Sequence, residues 1–228
     1  MKAVIQAGGK GTRLKPYTLI LPKPLMPVAE APVIELLLRW LRRHGVDHVV
    51  ITTGYLGHLL RLVCGDGSRW DMRIEYTEEV EPLGTLGALH LARDWLDEPF
   101  FVLNGDLITD LDLRAFMRFH RTHPEPLTIA VKETPVAVDM GVFEFDRDGL
   151  VTEFKEKPTL TYSANMGIYA MDPSIMDLIP TGVTFGFDDL MYLMLDEKIG
   201  ARVFQHHGQF LDIGRPEDYA RAQDRRRQ

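Results

Sequence analysis

A glycine-rich segment near the start of the chain carries residues well suited to bind an anion. Residues 6–16 read Gln-Ala-Gly-Gly-Lys-Gly-Thr-Arg-Leu-Lys-Pro and directly follow the apolar run Ala3-Val4-Ile5. Glycines let backbone N–H groups approach a ligand closely, and Lys10 and Arg13 can neutralise phosphate oxygens. Because a solvated glycine turn has a similar composition, the spacing must be compared with known phosphate-binding patterns.

Two familiar phosphate-binding patterns do not fit this segment. A Walker A loop requires Ser or Thr directly after its Gly-Lys pair, whereas Gly9-Lys10 is followed by Gly11. A dinucleotide fingerprint that starts at Gly9 places its third glycine at Leu14, so the close helix-to-strand packing that this glycine permits is not encoded. The remaining interpretation is a strand-to-loop nucleotide site of another type.

A second segment combines three prolines with one lysine. It reads Pro22-Lys23-Pro24-Leu25-Met26-Pro27-Val28. Proline restricts its own φ and the conformation of the preceding residue, which favours an extended path. We therefore expect the Lys23 side chain to project from a stiff backbone, although the segment alone could equally be an ordinary proline-rich connector.

Together with five later motifs, these two segments resemble the signature of the sugar-1-phosphate nucleotidylyltransferases, also called nucleotide-sugar pyrophosphorylases. The resemblance extends over almost the whole chain, with the motifs in the family's order. The matching motifs are residues 8–14, 22–27, 81–88 (Glu-Pro-Leu-Gly-Thr-Leu-Gly-Ala), 103–106 (Leu-Asn-Gly-Asp), 156–158 (Glu-Lys-Pro), 165–169 (Asn-Met-Gly-Ile-Tyr) and 212–219 (Asp-Ile-Gly-Arg-Pro-Glu-Asp-Tyr).

The reaction implied by this resemblance joins two anions, a sugar 1-phosphate and a nucleoside triphosphate. An enzyme for it must reduce charge repulsion, align the attack on the α-phosphorus and stabilise the leaving pyrophosphate. The resemblance assigns Arg13 to the triphosphate, Lys23 to the space between the sugar phosphate and the α-phosphate, and Lys157 to the sugar phosphate. With Asp106 and Asp212, these residues form the predicted catalytic set.

Two aspartates are candidates for a metal site. Asp106 follows the apolar run Phe100–Leu103 and Asn104-Gly105, so it is placed at the carboxyl edge of a strand, where ligands of α/β sheets collect. Asp212 precedes Ile213-Gly214, far away in sequence. Carboxylate oxygens suit Mg²⁺, which takes further ligands from substrate phosphates and water. The resemblance implies that this pair holds the ion.

The resemblance also implies two sets of binding residues. In these sets, Glu78 and Glu81 are alternatives for the position near the base. The predicted nucleotide-binding residues are Ala7, Gly8, Gly9, Gly11, Thr12, Arg13, Glu78, Glu81, Pro82, Gly84 and Thr85, and the predicted sugar-phosphate residues are Lys23, Asn104, Gly105, Gly141, Glu156, Lys157, Asn165 and Gly167.

Short apolar runs alternate with amphipathic stretches, which predicts an α/β fold with a mainly parallel, mixed central sheet flanked by helices. The resemblance implies a Rossmann-like nucleotidyltransferase fold without a β-helix domain. Because no linker or repeat divides the chain, we expect a single catalytic domain over residues 1–228. The predicted strands are 3–6, 48–53, 72–76, 100–104 and 127–132, the predicted helices are 33–44, 84–95 and 111–120, and residues 141–145 and 150–155 are predicted to pair as a hairpin.

The composition excludes several classes of protein. The 228 residues are 45% hydrophobic and 26% charged, which fits a globular domain with a sizeable core. The single cysteine, Cys64, excludes an internal disulfide framework, and the net charge of −7 argues against general nucleic-acid affinity. No apolar run is long enough to span a bilayer and no signal peptide is recognisable. We therefore expect no membrane partner and a cytoplasmic location.

Several substrates are consistent with the motifs. Residues 82–87 resemble the mannose and heptose 1-phosphate guanylyltransferase branch, which implies GTP and a mannose- or heptose-type sugar 1-phosphate. The alternatives are a thymidylyl- or uridylyltransferase acting on glucose 1-phosphate and a cytidylyltransferase acting on a phosphocholine-like substrate. A non-catalytic regulatory homologue is a hypothesis of another class, which the presence of the full charged set disfavours. A homodimer is a further expectation.

Overall fold

Strands and helices alternate along the chain in the structure, a computed structural model that describes residues 1–225. The elements are, in chain order, β1 (Lys2–Ala7), β2 (Pro27–Val28), β3 (Ala31–Pro32), α1 (Val33–Arg43), β4 (His48–Thr53), α2 (Gly57–Cys64), β5 (Arg73–Glu78), α3 (Gly84–Gly87), β6 (Phe100–Asn104), β7 (Leu107–Thr109), α4 (Leu113–Arg121), β8 (Leu127–Ala137), β9 (Val142–Phe145), β10 (Val151–Lys155), β11 (Thr159–Met171), α5 (Phe187–Asp196), β12 (Arg202–His206), β13 (Phe210–Asp212) and α6 (Pro216–Arg225). The predicted strands and the predicted hairpin are all present; strands 48–53 and 100–104 have the predicted bounds, and the others have shifted ends.

The central sheet has seven strands in the order β12-β8-β11-β6-β1-β4-β5. Only β11 among them runs antiparallel to its neighbours β6 and β8, while the other adjacent pairs are parallel. This arrangement confirms the predicted mainly parallel, mixed sheet. It also brings the carboxyl ends of β6, β1, β4 and β5 to one edge of the sheet.

Helices cover both faces of the sheet, which explains why its central strands are continuous apolar runs. In β1, Ala3 and Ile5 belong to the core cluster that α1 and α4 cover, while Val4 belongs to the cluster on the opposite face. All three side chains are fully buried. Successive side chains of β1 therefore pack against helices on opposite faces of the sheet. This packing fixes the strand directly before the glycine-rich segment.

The predicted helix over residues 84–95 is only partly α-helical. α3 ends at Gly87 and a 3₁₀ helix, Ala88–Trp95, continues it. The N–H groups of Leu86 and Gly87 both donate to the carbonyl of Phe185, at 2.9 and 3.0 Å. This distant segment satisfies free donors at the start of the helix. Residues 81–88, which we call the second glycine motif, are therefore fixed by a tertiary contact.

Another part of the chain extends beyond the main sheet. The outer halves of β8 and β11 remain paired where their side chains become exposed, and the antiparallel hairpin β9–β10 lies between them in sequence. We call residues 133–163 the arm. Within residues 1–225, no helix is long and apolar enough to cross a membrane.

Candidate active site

A cleft of about 450 Å³ lies at the carboxyl ends of the parallel strands. It brings together most of the residues that the sequence predicts for the nucleotide, and it adds four that were not predicted, which are Gln6, Pro24, Thr52 and Glu79. The predicted residues that line it are Ala7, Gly8, Gly9, Gly11, Thr12, Arg13, Lys23, Pro82, Gly84, Thr85, Asn104, Gly105 and Asp106.

The glycine-rich segment turns sharply at Gly11. This residue has a φ of 58° and precedes a short 3₁₀ turn, Thr12–Leu14, whose Leu14 N–H donates to the Gly11 carbonyl at 2.9 Å. The buried Thr18 hydroxyl donates to the same carbonyl at 2.9 Å. The turn thus depends on a left-handed backbone conformation that favours glycine, and it presents Arg13 at the cleft.

Replacing Gly11 by Ala is expected to lower the free energy of unfolding by about 1–2 kcal/mol. A Cβ at this position would lie 2.9 Å from Thr18 Cγ2, in addition to the strain of the positive φ. Gly9→Ala is the matched control, because a Cβ there meets no atom of residues 1–225 within 4 Å. Denaturant unfolding of both variants checks this prediction, and equal destabilisation would contradict it.

Lys23, Asp106 and Asp212 meet at one side of the cleft, although they are far apart in sequence. The Lys23 ammonium forms an ion pair with Asp106 and lies 3.7 Å from Asp212 Oδ1. The backbone enforces this meeting, because β13 pairs with β7 and the Ile213 N–H donates to the Asp106 carbonyl at 3.0 Å. The side chains of Lys23 and Asp106 are each only 13% exposed.

The electrostatics of this cluster leave acceptor capacity for a cation. Burial lowers the pKa of Lys23, Asp212 opposes this shift, and the positive charge of Arg13 adds to it. Asp106 Oδ1 and Asp212 Oδ1 are both buried and accept no hydrogen bond from residues 1–225. Two such carboxylate oxygens suit Mg²⁺, which takes its other ligands from phosphates and water. Within the described chain, no group of three or more His, Cys, Asp or Glu side chains could hold a metal ion.

The side chains of Arg13 and Asp212 both pack on Gly214. A Cβ at Gly214 would lie 3.0 Å from Asp212 Oδ1 and 3.2 Å from Arg13 Nη2. Both side chains therefore contact the same glycine. The guanidinium reaches the carboxylate side of the cleft from the glycine-rich segment, where it can bind phosphate oxygens with its planar donor fork.

The second glycine motif forms the opposite wall of the cleft. Gly84 has a φ of 75°, and a Cβ there would lie 2.7 Å from the Phe185 carbonyl oxygen. The Phe185 N–H donates to the Leu83 carbonyl at 2.9 Å, and the Phe187 N–H donates to Thr85 Oγ1 at 3.0 Å. None of the site residues predicted from the sequence lies in residues 185–191. The structure shows that this segment holds the second glycine motif in place.

Of the three neighbouring glutamates Glu78, Glu79 and Glu81, it is Glu79 that lines the cleft. Glu78 is exposed and its Oε2 lies 3.8 Å from Arg61 Nη2, and Glu81 is also exposed. Burial raises the pKa of the Glu79 carboxyl, and a hydrogen bond from the Leu83 N–H, 3.0 Å from Oε2, opposes this shift. Glu79 directly follows β5, as Asp106 closely follows β6, but the predicted strand over residues 72–76 ended too early to indicate this.

The predicted sugar-phosphate residues fall into two groups. Lys23, Asn104 and Gly105 line the cleft, and Gly167 packs directly on the Asn104 amide. The Gly167 N–H donates to Asn165 Oδ1 at 2.8 Å. Gly141, Glu156 and Lys157 lie on the arm and are not among the cleft-lining residues.

On the arm, Gly141 and Glu156 are neighbours. A Cβ at Gly141 would lie 2.6 Å from the Phe154 ring and 3.2 Å from Glu156 Oε2. Lys157 follows with a positive φ of 44°. These three residues thus form a second, more exposed group on the arm.

The fold and the comparisons define a family of proteins: the chain belongs to the nucleotidyl transferase family. The family model described as "Nucleotidyl transferase" matches residues 2–228. Among curated relatives, the chain is 33% identical to the UTP–glucose-1-phosphate uridylyltransferase of Synechocystis, over 97% of this chain and 62% of that protein. It is 37% identical to mannose-1-phosphate guanylyltransferase 1 of Arabidopsis thaliana, over 96% of this chain and 63% of that protein. The chain thus spans less than two thirds of the length of these curated relatives.

A solved structure supports the same classification. HddC from Yersinia pseudotuberculosis superimposes with a TM-score of 0.76 and 29% sequence identity, covering 98% of both chains. A crystal structure of HddC complexed with GMP-PN gives a TM-score of 0.74 and 28% identity.

Proposed function

We propose that the protein transfers a nucleotidyl group from a nucleoside triphosphate to a sugar 1-phosphate, with release of pyrophosphate. The preferred substrates in this proposal are GTP and a mannose- or heptose-type sugar 1-phosphate. The observation that carries it is the cluster of Lys23, Asp106 and Asp212 at the edge of a cleft that the glycine-rich segment also lines. A cluster of this kind suits the joining of two phosphate-bearing substrates.

In the proposed reaction, a sugar-phosphate oxygen forms a bond to the α-phosphorus while the bond from that phosphorus to the β-phosphate oxygen breaks. The bonding electron pair leaves with pyrophosphate, so no protein nucleophile is required. Arg13 binds α-phosphate and pyrophosphate oxygens and stabilises their charge. Lys23 lies between the two reacting phosphates and reduces their repulsion.

Asp106 and Asp212 are the residues that would hold Mg²⁺. Each has one buried oxygen that accepts no hydrogen bond from residues 1–225, and such oxygens fit a divalent cation. When bound, Mg²⁺ supplies charge neutralisation and orientation of phosphate oxygens. In the proposal, Lys157 and Glu156 bind the sugar phosphate and sugar hydroxyls, and Gly141, Asn165 and Gly167 surround the sugar.

The relatives' names support the reaction class and favour two bases. One is a uridylyltransferase for glucose 1-phosphate and another is a guanylyltransferase for mannose 1-phosphate. Guanine is the base we propose, since the motif at residues 82–87 resembles the guanylyltransferase branch. Transfer from UTP or dTTP to glucose 1-phosphate is the second candidate, which the Synechocystis relative supports.

Pyrophosphate release in the presence of Mg²⁺ tests this proposal. GTP, dTTP, UTP, CTP and ATP are each combined with mannose, glucose and heptose 1-phosphates and with phosphocholine. We expect release to require both substrates and to be fastest with GTP and a mannose- or heptose-type phosphate. Nucleotide binding without pyrophosphate release in any combination would instead favour a regulatory homologue.

A further inference from the structure

The strand that carries Asp212 to the cleft, β13, is very short. It has three residues and forms a separate two-stranded sheet with β7, which is equally short. All three residues of β13 are only partly buried. Because a two-stranded sheet of this size is marginally stable by itself, the position of Asp212 depends on the contacts that hold the two ends of β13.

The register between β13 and β7 determines where the Asp212 carboxylate points. Asp212 lies opposite Leu107, and Phe210 lies opposite Thr109. Side chains alternate between the faces of a sheet, so a shift of one residue would turn Asp212 away from Lys23 and the metal side of the cleft. The two strands are joined by residues 110–209 and not by a tight turn, so contacts near the strand ends must set the register.

Apolar packing and one hydrogen bond hold the carboxyl end of β13. Ile213 directly follows the strand, is fully buried and packs in a cluster with Met26 and Val33. Its N–H donates to the Asp106 carbonyl at 3.0 Å. This contact fixes the residue after Asp212, and the amino end of the strand requires a separate anchor.

The amino end of β13 is anchored through Gln209, the residue before the strand. Its N–H donates to Asp110 Oδ1 at 2.6 Å. Its carbonyl accepts from the Thr109 hydroxyl at 2.8 Å and from the Asp110 N–H at 3.3 Å. Both backbone groups of Gln209 are thus bound by the last residue of β7 and the residue after it, which is possible in only one register.

His206 connects this anchor to the seven-stranded sheet. It is the last residue of β12 and is buried, and its Nε2 lies 2.9 Å from Asp110 Oδ1 and 3.2 Å from the Gln209 carbonyl oxygen. Both neighbours are acceptors, so Nε2 carries a hydrogen and donates between them. The Lys132 ammonium, on the adjacent strand β8, donates to the Gly208 carbonyl.

The loop between β12 and β13, residues 207–209, passes very close to these side chains. A Cβ at Gly208 would collide with the Asp110 carboxylate and would lie 2.6 Å from His206 Cε1. Glycine at this position therefore permits the close approach on which the hydrogen bonds of the anchor depend.

We propose that Asp110 and His206 are positioning residues for Asp212, because they fix the register of β13 and so hold the Asp212 carboxylate beside Asp106. Neither residue is among those that line the cleft within residues 1–225. The inference rests on the proposed function where it takes Asp212 as a metal ligand. The register itself is a property of the protein without metal or nucleotide.

Amide hydrogen exchange of the metal-free protein, followed by mass spectrometry, tests the register. In Asp110→Ala, and separately in His206→Ala, we expect residues 207–213 to exchange at least about 10-fold faster, while β6 keeps its protection. Asp110→Asn keeps an acceptor oxygen for the Gln209 N–H, so it should retain most of the protection.

Asp112→Ala is the matched control. Asp112 lies two residues from Asp110 and also accepts two backbone N–H groups, from Arg114 at 2.9 Å and from Ala115 at 3.0 Å, but these belong to the first turn of α4. We expect this variant to leave the exchange of residues 207–213 unchanged. Equal acceleration in Asp110→Ala and Asp112→Ala would mean general loosening and would overturn the inference.

Mn²⁺ binding in the presence of GTP, and in parallel of UTP, tests the connection to Asp212. We expect Asp110→Ala to weaken Mn²⁺ binding about 5- to 20-fold, as measured by electron paramagnetic resonance. In an Asp212→Asn background the same change should weaken it by less than about 2-fold, because the carboxylate that is positioned is already absent. Equal losses in the two backgrounds would indicate a general distortion of the cleft and would contradict the inference.

The two readouts separate this inference from the proposed function. Pyrophosphate release in the substrate panel, together with unchanged exchange of residues 207–213 in Asp110→Ala and His206→Ala, keeps the proposed reaction and overturns the positioning role. Wild-type Mn²⁺ affinity in Asp212→Asn removes the metal assignment, and faster exchange in the two alanine variants then still supports the fixed register.

Discussion

Replacing Asp106 by Asn is expected to lower kcat by on the order of 10³-fold while the protein remains folded. The carboxylate has two tasks in the proposed reaction, because it holds Mg²⁺ and it orients the Lys23 ammonium with which it forms an ion pair. Asparagine preserves the shape of the side chain but removes its charge. A loss of several kcal/mol in transition-state stabilisation corresponds to this decrease in rate.

The fold should tolerate this change. Asp212 Oδ1 still lies 3.7 Å from Lys23 Nζ, so the ammonium keeps one acidic neighbour, and we expect the free energy of unfolding to fall by no more than about 3 kcal/mol. Steady-state pyrophosphate release and denaturant unfolding measure the two effects separately. Mn²⁺ binding in the presence of GTP, followed by electron paramagnetic resonance, should weaken in parallel with kcat.

Asp94→Asn is the matched control for Asp106→Asn, since Asp94 is exposed on the 3₁₀ helix Ala88–Trp95 and lies outside the cleft. It should retain full activity. Near-normal turnover in both Asp106→Asn and Asp212→Asn would refute the metal assignment.

Replacing Arg13 by Ala is expected to reduce kcat by about 10³-fold, with a smaller loss in Arg13→Lys. The guanidinium lies beside Gly214 and Asp212, on the carboxylate side of the cleft, and it is the only arginine among the cleft-lining residues of the described chain. Lysine restores the charge but cannot bind two phosphate oxygens through a planar fork. The order of kcat among the wild-type protein, Arg13→Lys and Arg13→Ala therefore distinguishes bidentate binding of phosphate from simple charge neutralisation.

Single-turnover measurement of pyrophosphate release tests the Arg13 prediction. Lys15→Ala serves as the control, because Lys15 is an exposed cation only two residues away and does not line the cleft. If Lys15→Ala and Arg13→Ala slowed the reaction equally, the effect would come from the net charge of the segment and not from a contact of Arg13.

The parts of the fold that the sequence predicts are those that depend on local pattern. β1, β4 and β6 are continuous apolar runs because both of their faces are covered, and that pattern identifies them without structural knowledge. Arg13 and Asp106 stand in compact motifs that closely follow β1 and β6, and their convergence follows from the shared direction of these parallel strands. Lys23 lies in the proline-rich segment that leads to β2.

The parts that the sequence does not predict depend on contacts between distant residues. β13 pairs with β7 across about one hundred positions, and each strand has only three residues. Neither strand is long enough to show a detectable alternation of apolar and polar residues. The choice among Glu78, Glu79 and Glu81 depends on where β5 ends. The predicted strand stopped at Tyr76, two residues before the observed end at Glu78, and this shift hid Glu79.

The position of Lys23 has a consequence for the order in which substrates bind. Its ammonium already lies against both carboxylates that we assign to Mg²⁺ and offsets part of their charge, so a free divalent cation must compete with a tethered one for the same carboxylates. A cation that arrives as the nucleotide complex brings phosphate oxygens with it, and these offer Lys23 a new counterion at the moment it is displaced. The enzyme would then follow a sequential kinetic scheme in which the metal–nucleotide complex, rather than the bare ion, is the first reactant to bind.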